Sequence, residues 1–180
     1  VVSAVEPPAA PEPDGPMPLA SYADPMRGFL VLGGRDVSVS REDQEGGPGA
    51  LRLDYTAPER TLFAVVHTIT PGILDGAAAI RFEAITNRSL NLVVNLDERR
   101  GPGDINKSSY YTTTTIEPGD DFTMVTLPLS LFRLGDDQTD PDGELNAELV
   151  DTLAIIDGTA AFENTEVINT LLLREPVVVE

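Results

Sequence analysis

Apolar and polar residues alternate with a period of two through most of this chain. Leu51, Leu53 and Tyr55 are interleaved with Arg52 and Asp54, and Ile80, Phe82 and Ala84 with Arg81 and Glu83. Leu90, Leu92, Val94 and Leu96 form the purest apolar face, opposite Asn91, Val93 and Asn95. Successive side chains of a strand point to opposite sides, so each run predicts a half-buried strand. Strands are also predicted at Phe29–Leu32, Asp36–Ser40, Thr61–Thr70, Ser109–Ile116, Phe122–Leu127, Val150–Asp157 and Val167–Leu173. Gly33-Gly34, the polar stretch 41–49, Pro71-Gly72 and the acidic stretch 136–144 separate them. Only Pro128–Phe132 reads as a helical turn. Short strands with turn signals between them predict an all-β, two-sheet antiparallel sandwich over residues 26–180.

Residues 1–25 differ. Seven of the fifteen prolines fall there, and the segment carries too little apolar surface to fold alone. The reading is an extended arm whose intermittent apolar residues, Val5, Met17, Leu19 and Tyr22, dock the domain onto a neighbouring protein. Proline favours this because its φ is already fixed.

Composition then narrows the functions. Twelve Lys plus Arg against thirty Asp plus Glu give a net charge of −18. Nucleic acid and anionic lipid surfaces are repelled by that field, and no apolar run approaches the ~18 residues of a membrane span. There is no cysteine and one histidine, which excludes disulfides, thiolate metal sites, Cys–His pairs and two-His metal sites within the chain. His67 shares a strand face with Phe63 and Val65 and reads as a buried structural imidazole, and no GxSxG elbow accompanies it. No catalysis is expected. The chain begins with Val rather than Met, which reads as a chain either processed or cut from a longer one, and the expected location is extracytoplasmic.

Several stretches carry a family likeness. Gly49–Tyr55 resembles an opening strand, and "DGAAAIRFEAI" (Asp75 to Ile85) followed by "LNLVVNLDE" (Leu90 to Glu98) resembles a central strand pair, of carbohydrate-binding-module-like, galactose-binding-like jelly-roll domains. "DFTMVTLPLSLF" (Asp121 to Phe132) and "DPDGELNAELVDTLAII" (Asp140 to Ile156) are similar to later segments of the same broad group. That group includes the complex I intermediate-associated protein-like domains. The resemblance implies a galactose-binding-like jelly roll and no catalytic motif. Phe122 stands where the group often has Trp, and the last strand, Ile168–Leu173, lacks the Asp that often helps hold a structural Ca²⁺.

Candidate binding residues are Arg81, Asn91, Asn95, Tyr110 and Tyr111, read as outward-facing polar and aromatic strand positions suited to sugar hydroxyls. The stretch 136–144 offers oxygen ligands for a possible structural Ca²⁺ at Asp136, Asp140, Asp142 and Glu144, or else is a solvated acidic turn. No other cofactor is expected. Two functions follow: a non-catalytic accessory or assembly subunit that binds other proteins through its arm and sheet surface, or a carbohydrate-binding module. Missing Trp and the Pro-rich arm favour the first.

Overall fold

The computed structural model describes residues 17–22, 28–43, 49–100 and 105–180. Its first strands are β1 (Phe29–Gly33), β2 (Arg35–Glu42), β3 (Ala50–Ala57), β4 (Phe63–Thr68), β5 (Ala79–Thr86) and β6 (Leu90–Arg99). Then come β7 (Lys107–Ile116), β8 (Thr123–Pro128), β9 (Arg133–Leu134), β10 (Val150–Asp157), β11 (Val167–Leu173) and β12 (Val177–Val179). The one α-helix among the described residues is the single turn α1 (Thr159–Phe162). A 3₁₀ turn at Leu129–Leu131 occupies the predicted helical turn.

The strands form two six-stranded sheets, antiparallel throughout. The first runs β1-β4-β10-β6-β7-β9. In the second, β5 pairs with β8 along one side. Along its other side β5 pairs with β11 and then β12, and β11 leads on to β3 and β2. The all-β two-sheet sandwich expected from the alternation is therefore the observed architecture.

Alternation decides what is buried. Leu51, Leu53 and Tyr55 of β3 face Phe63, Val65, Leu92, Val94 and Leu153 in one continuous core, each such side chain contributing about 1.5–3 kcal/mol by leaving water. Tyr55 and Phe63 stack across the sheets with ring centroids 3.6 Å apart. Gly33 makes the switch from the first sheet to the second possible. Its φ is +77°, and a Cβ there would stand 2.2 Å from the carbonyl oxygen of Leu62, so only glycine fits.

Five polar residues inside the sandwich, Tyr55, Thr86, Asp157, Thr159 and Asn169, are linked in one chain of hydrogen bonds. Tyr55 Oη donates to Asp157 at 2.7 Å and accepts from Asn169 Nδ2 at 3.0 Å. Thr86 Oγ1 donates to Asn169 Oδ1 at 3.0 Å, and the Thr159 amide donates to Asp157 at 2.8 Å. This chain joins β10 to β3, β11 and β5, tying the two sheets together.

The domain starts earlier than residue 26. Pro18 bridges Val177, the Leu19 amide donates to Pro176 O at 2.7 Å, and the Val178 amide donates to Met17 O at 2.9 Å. Leu19 and Tyr22 are members of the hydrophobic core. Tyr22 packs edge-on to Phe29 at 5.5 Å, and its hydroxyl donates to His67 Nε2 at 2.8 Å.

Candidate functional site

Register places the outward-facing residues of the first sheet in straight rows. One row crosses all six strands: Arg133, Tyr111, Asn95, Ala154, Val66 and Leu30. A second holds Thr113, Val93, Ile156, Ala64 and Leu32, and a third Ser109, Asp97, Thr152 and Thr68. The face is thus divided. Its β9–β7–β6 half carries an aromatic ring and hydrogen-bonding groups, and its β10–β4–β1 half is aliphatic in the first two rows and carries Thr152 and Thr68 in the third.

The polar half is held in place by its own contacts. The Arg133 guanidinium lies over the Tyr111 ring, 4.9 Å from the centroid, a cation–π pair that fixes the plane of the ring. Asn95 Nδ2 and Ser109 Oγ both donate to Asp97 Oδ1 at 2.6 Å. Beyond them the register shifts between Val150 and Thr152, and this bulge lets Asp151 reach Arg99 Nε at 2.7 Å and Lys107 Nζ at 2.6 Å. Burial raises the Asp151 carboxyl, but the hydrogen bonds from Lys107, Arg99 and Thr152 outweigh it and hold it below the usual carboxylate range. An aromatic plane beside fixed donors and acceptors suits a polyhydroxylated ligand: the ring meets C–H faces, and the amide, carboxylate and hydroxyls meet its O–H groups.

The sequence candidates separate on the structure. Asn91, Asn95 and Tyr111 share the outer face of the first sheet. Arg81 lies on β5 of the second sheet, so it belongs to no site with them. Tyr110 does not face outward: it pairs with Leu96, is 2% exposed, and its hydroxyl donates to Asp140 Oδ2 at 2.9 Å. Reading both tyrosines of a consecutive pair as surface residues conflicts with strand alternation. Arg133, Asp97 and Ser109 were missed. The outward parity of β6 and β7 was a signal for the last two, whereas β9 is too short to leave a pattern.

The arm candidates also change. Val5 lies outside the described residues. Leu19 and Tyr22 are buried in this domain's own core and are not docking anchors, while Met17 is exposed. Burial lowers the His67 imidazole to about 4 against an opposing contact with the Leu153 carbonyl. With Tyr22 donating to Nε2 and Nδ1 donating to Leu153 O at 3.2 Å, the neutral ring is fully used.

In the acidic loop, Asp140 accepts from Ser108 Oγ, Tyr110 Oη and the Gly143 amide. Burial raises this carboxyl, but the hydrogen bonds from Ser108, Tyr110 and the Gly143 amide outweigh it and hold it below the usual carboxylate range. Asp142 accepts from the Glu144 amide and Asn146 Nδ2. These oxygens are spent on protein donors. Among the described residues no group of three or more His, Asp or Glu side chains is placed to hold a metal ion, so the four proposed ligands do not form a Ca²⁺ cage here. Under this loop lies a residue the sequence did not single out. Glu98 continues the inward parity of Leu96, is 1% exposed, and accepts the Asn146 amide on Oε2 at 2.5 Å. Among the described residues its Oε1 is buried without a partner.

No family model and no curated protein matches this sequence. Solved structures do match. The family 11 carbohydrate-binding module from Clostridium thermocellum, in complex with a β-1,3-1,4-mixed-linked tetrasaccharide, superposes with a TM-score of 0.67 at 14% identity, over 90% of this chain and 94% of that one. A family 30 carbohydrate-binding module gives 0.55 at 14% identity, over 80% and 83%. An agarase gives 0.59 at 12% identity, over 92% of this chain but 25% of that one. This chain therefore folds as a carbohydrate-binding-module-like jelly roll.

Proposed function

We propose that the domain is a non-catalytic carbohydrate-binding module, with its ligand lying across the outer face of the first sheet. The observation that carries this reading is the row Arg133–Tyr111–Asn95, flanked by Asp97 and Ser109. Tyr111 supplies the stacking plane, and Asn95, Asp97 and Ser109 orient sugar hydroxyls beside it. The likeness in fold to carbohydrate-binding modules supports the same choice. The assembly-subunit reading loses two of its arm anchors, because Leu19 and Tyr22 serve the core rather than a partner. Recognition of a polysaccharide fits an exported protein.

The test is affinity electrophoresis against mixed-linked β-glucan, cellulose derivatives and agarose, followed by calorimetry with oligosaccharides of whichever retards the protein. Tyr111→Ala should weaken binding about tenfold or more, a loss of ~1.4 kcal/mol, while the protein still unfolds cooperatively, because the half-buried ring stands on the outer face and not in the core. Retardation by none of the polysaccharides, or a Tyr111→Ala protein that binds like wild type, rejects the reading.

A further inference from the structure

One aromatic side chain of this protein stands in the open. Of the six Phe and four Tyr, Phe162 is the one classed as exposed, at 61%, and the others are buried or half-buried. The half-buried rings have company: Arg133 lies over Tyr111, Arg174 over Phe122, and Tyr22 packs against Phe29. Phe162 is presented by the single turn α1, which is well seated. Thr159 and Ala160 are buried, Thr159 Oγ1 accepts from the Asn91 amide at 2.9 Å, and Ala160 O accepts from the Arg60 amide at 3.1 Å. The ring rests on Gly158, where a Cβ would stand 2.7 Å from its Cε2. A fixed turn, not a loose loop, holds it out.

The ring borders a cleft of about 310 Å³, shared with Asn91 and Leu92 of β6 and Thr113, Thr114 and Thr115 of β7. Thr113 and Thr115 have the outward parity of Tyr111, and Asn91 that of Asn95. Thr115 stands four residues along β7 from Tyr111, about 13 Å at the rise of an antiparallel strand. A track therefore runs along β6 and β7 from one ring to the other, over Asn95, Thr113, Val93, Thr115 and Asn91. Among the described residues no hydrogen bond engages the Thr113 and Thr115 hydroxyls or the Asn91 side-chain amide. The perpendicular direction offers no such track. From Asn95 it leads over Ala154, Val66 and Leu30, whose side chains hold nothing that pairs a hydroxyl.

We propose that Phe162 is a second stacking ring of the ligand face, and that the ligand runs along β6 and β7 from Tyr111 to Phe162. This rests on the carbohydrate-binding reading above and gives its ligand a direction and a length. One sugar does not bridge two rings so far apart, so the ligand is an extended, linear glycan of several units. It is an uncharged one, because the track from Asn95 to Asn91 carries no charged side chain and a net charge of −18 repels a polyanion. The two rings meet C–H faces of separate units, and the amides and hydroxyls between them pair O–H groups. A ring already fixed by its turn loses little freedom on binding.

The test is calorimetry with oligosaccharides, from disaccharide to hexasaccharide, of whichever of mixed-linked β-glucan, cellulose derivatives or agarose retards the protein. Wild-type affinity should rise with chain length. Phe162→Ala should bind the hexasaccharide about tenfold more weakly and lose that rise. Phe162→Tyr, which keeps a ring, should return to within about threefold of wild type. Tyr111→Ala should weaken every length that wild type binds. In wild type itself, the Phe162 ring signals in ¹H–¹³C spectra should move on saturation with hexasaccharide, a readout that needs no variant to fold. Phe162→Ala binding the hexasaccharide within about twofold of wild type, or ring signals that stay in place at saturation, overturns the second ring and leaves the carbohydrate reading standing. If no polysaccharide retards wild type, the carbohydrate reading itself fails, and the second ring with it.

Discussion

Two buried titratable side chains sit in the same sandwich and are treated in opposite ways. His67, in the middle of β4, has both ring nitrogens engaged: Nε2 accepts from Tyr22 and Nδ1 donates to Leu153 O. Glu98, near the end of β6, has one oxygen bonded to Asn146 and the other, among the described residues, bonded to nothing. The first is a finished piece of core, because satisfying every polar atom removes the penalty of burying it. The second leaves that oxygen unpaid, beneath the 140–146 loop. His67 is recognised as structural by its completeness, whereas the charge of Glu98 still weighs on stability.

The comparison is tested most severely at the His67 end. Deleting residues 1–22 removes Leu19 and Tyr22 from the core and strips His67 Nε2 of its donor. Losing two large buried side chains costs about 5–8 kcal/mol, and for a domain of this size Tm should fall by at least about 10 °C. A truncated protein that melts within two or three degrees of wild type would show that the segment is a tether and that His67 is not finished by it.

The sequence made the sandwich readable because its strands are amphipathic. Leu90–Leu96 and Leu51–Tyr55 could be placed on an inner face from parity alone, and both are there. Three kinds of feature were not readable. β9 and β12 are two and three residues long, too short to show any period. The segment 17–22 looked like a linker because proline content speaks to local preference, whereas Tyr22 is held by a tertiary contact with a residue 45 positions away. Asn91, Asn95 and Tyr111 could be placed on one outer face from parity, and they share it. Arg81 was grouped with them because a sequence does not say which sheet a strand joins. Arg133 and Glu98 owe their roles to neighbours across the fold, Tyr111 in one case and the 140–146 loop in the other.

The two groups should also pull the pH profile of stability in opposite directions. His67 has a folded value of about 4 against 6.5 unfolded. The unfolded chain takes up its proton first, so this contribution is full above pH 6.5 and is lost as pH falls toward 4, by roughly 3 kcal/mol. Glu98 has a folded value of about 7 against 4.5. The folded chain holds that proton longer, so stability is lost as pH rises from 4.5 to 7, by roughly 1–3 kcal/mol after allowance for solvent screening. Between pH 4.5 and 6.5 the slopes oppose each other. Thermal melts of Glu98→Gln should therefore expose the His67 slope, with Tm climbing as pH rises across that window. A Glu98→Gln profile as shallow as that of wild type would mean that His67 is not held neutral by burial.

The smallest change gives the sharpest contrast. Tyr22→Phe removes one oxygen and leaves the ring, so packing against Phe29 is kept while His67 Nε2 becomes a buried acceptor without a donor. That orphan should cost about 1–2 kcal/mol at pH 7, a few degrees of Tm. Glu98→Gln, an equally small change, should act with the opposite sign at pH 8, because it removes a charge that was never satisfied. Both variants can be measured in one thermal-melt series at pH 7 and 8. If Tyr22→Phe is neutral, the hydrogen bond to His67 contributes nothing and the completeness of that site is only geometric. If both variants destabilise, the unpaired oxygen of Glu98 is better served by the native carboxylate than by an amide, and the distinction between the two regions does not hold.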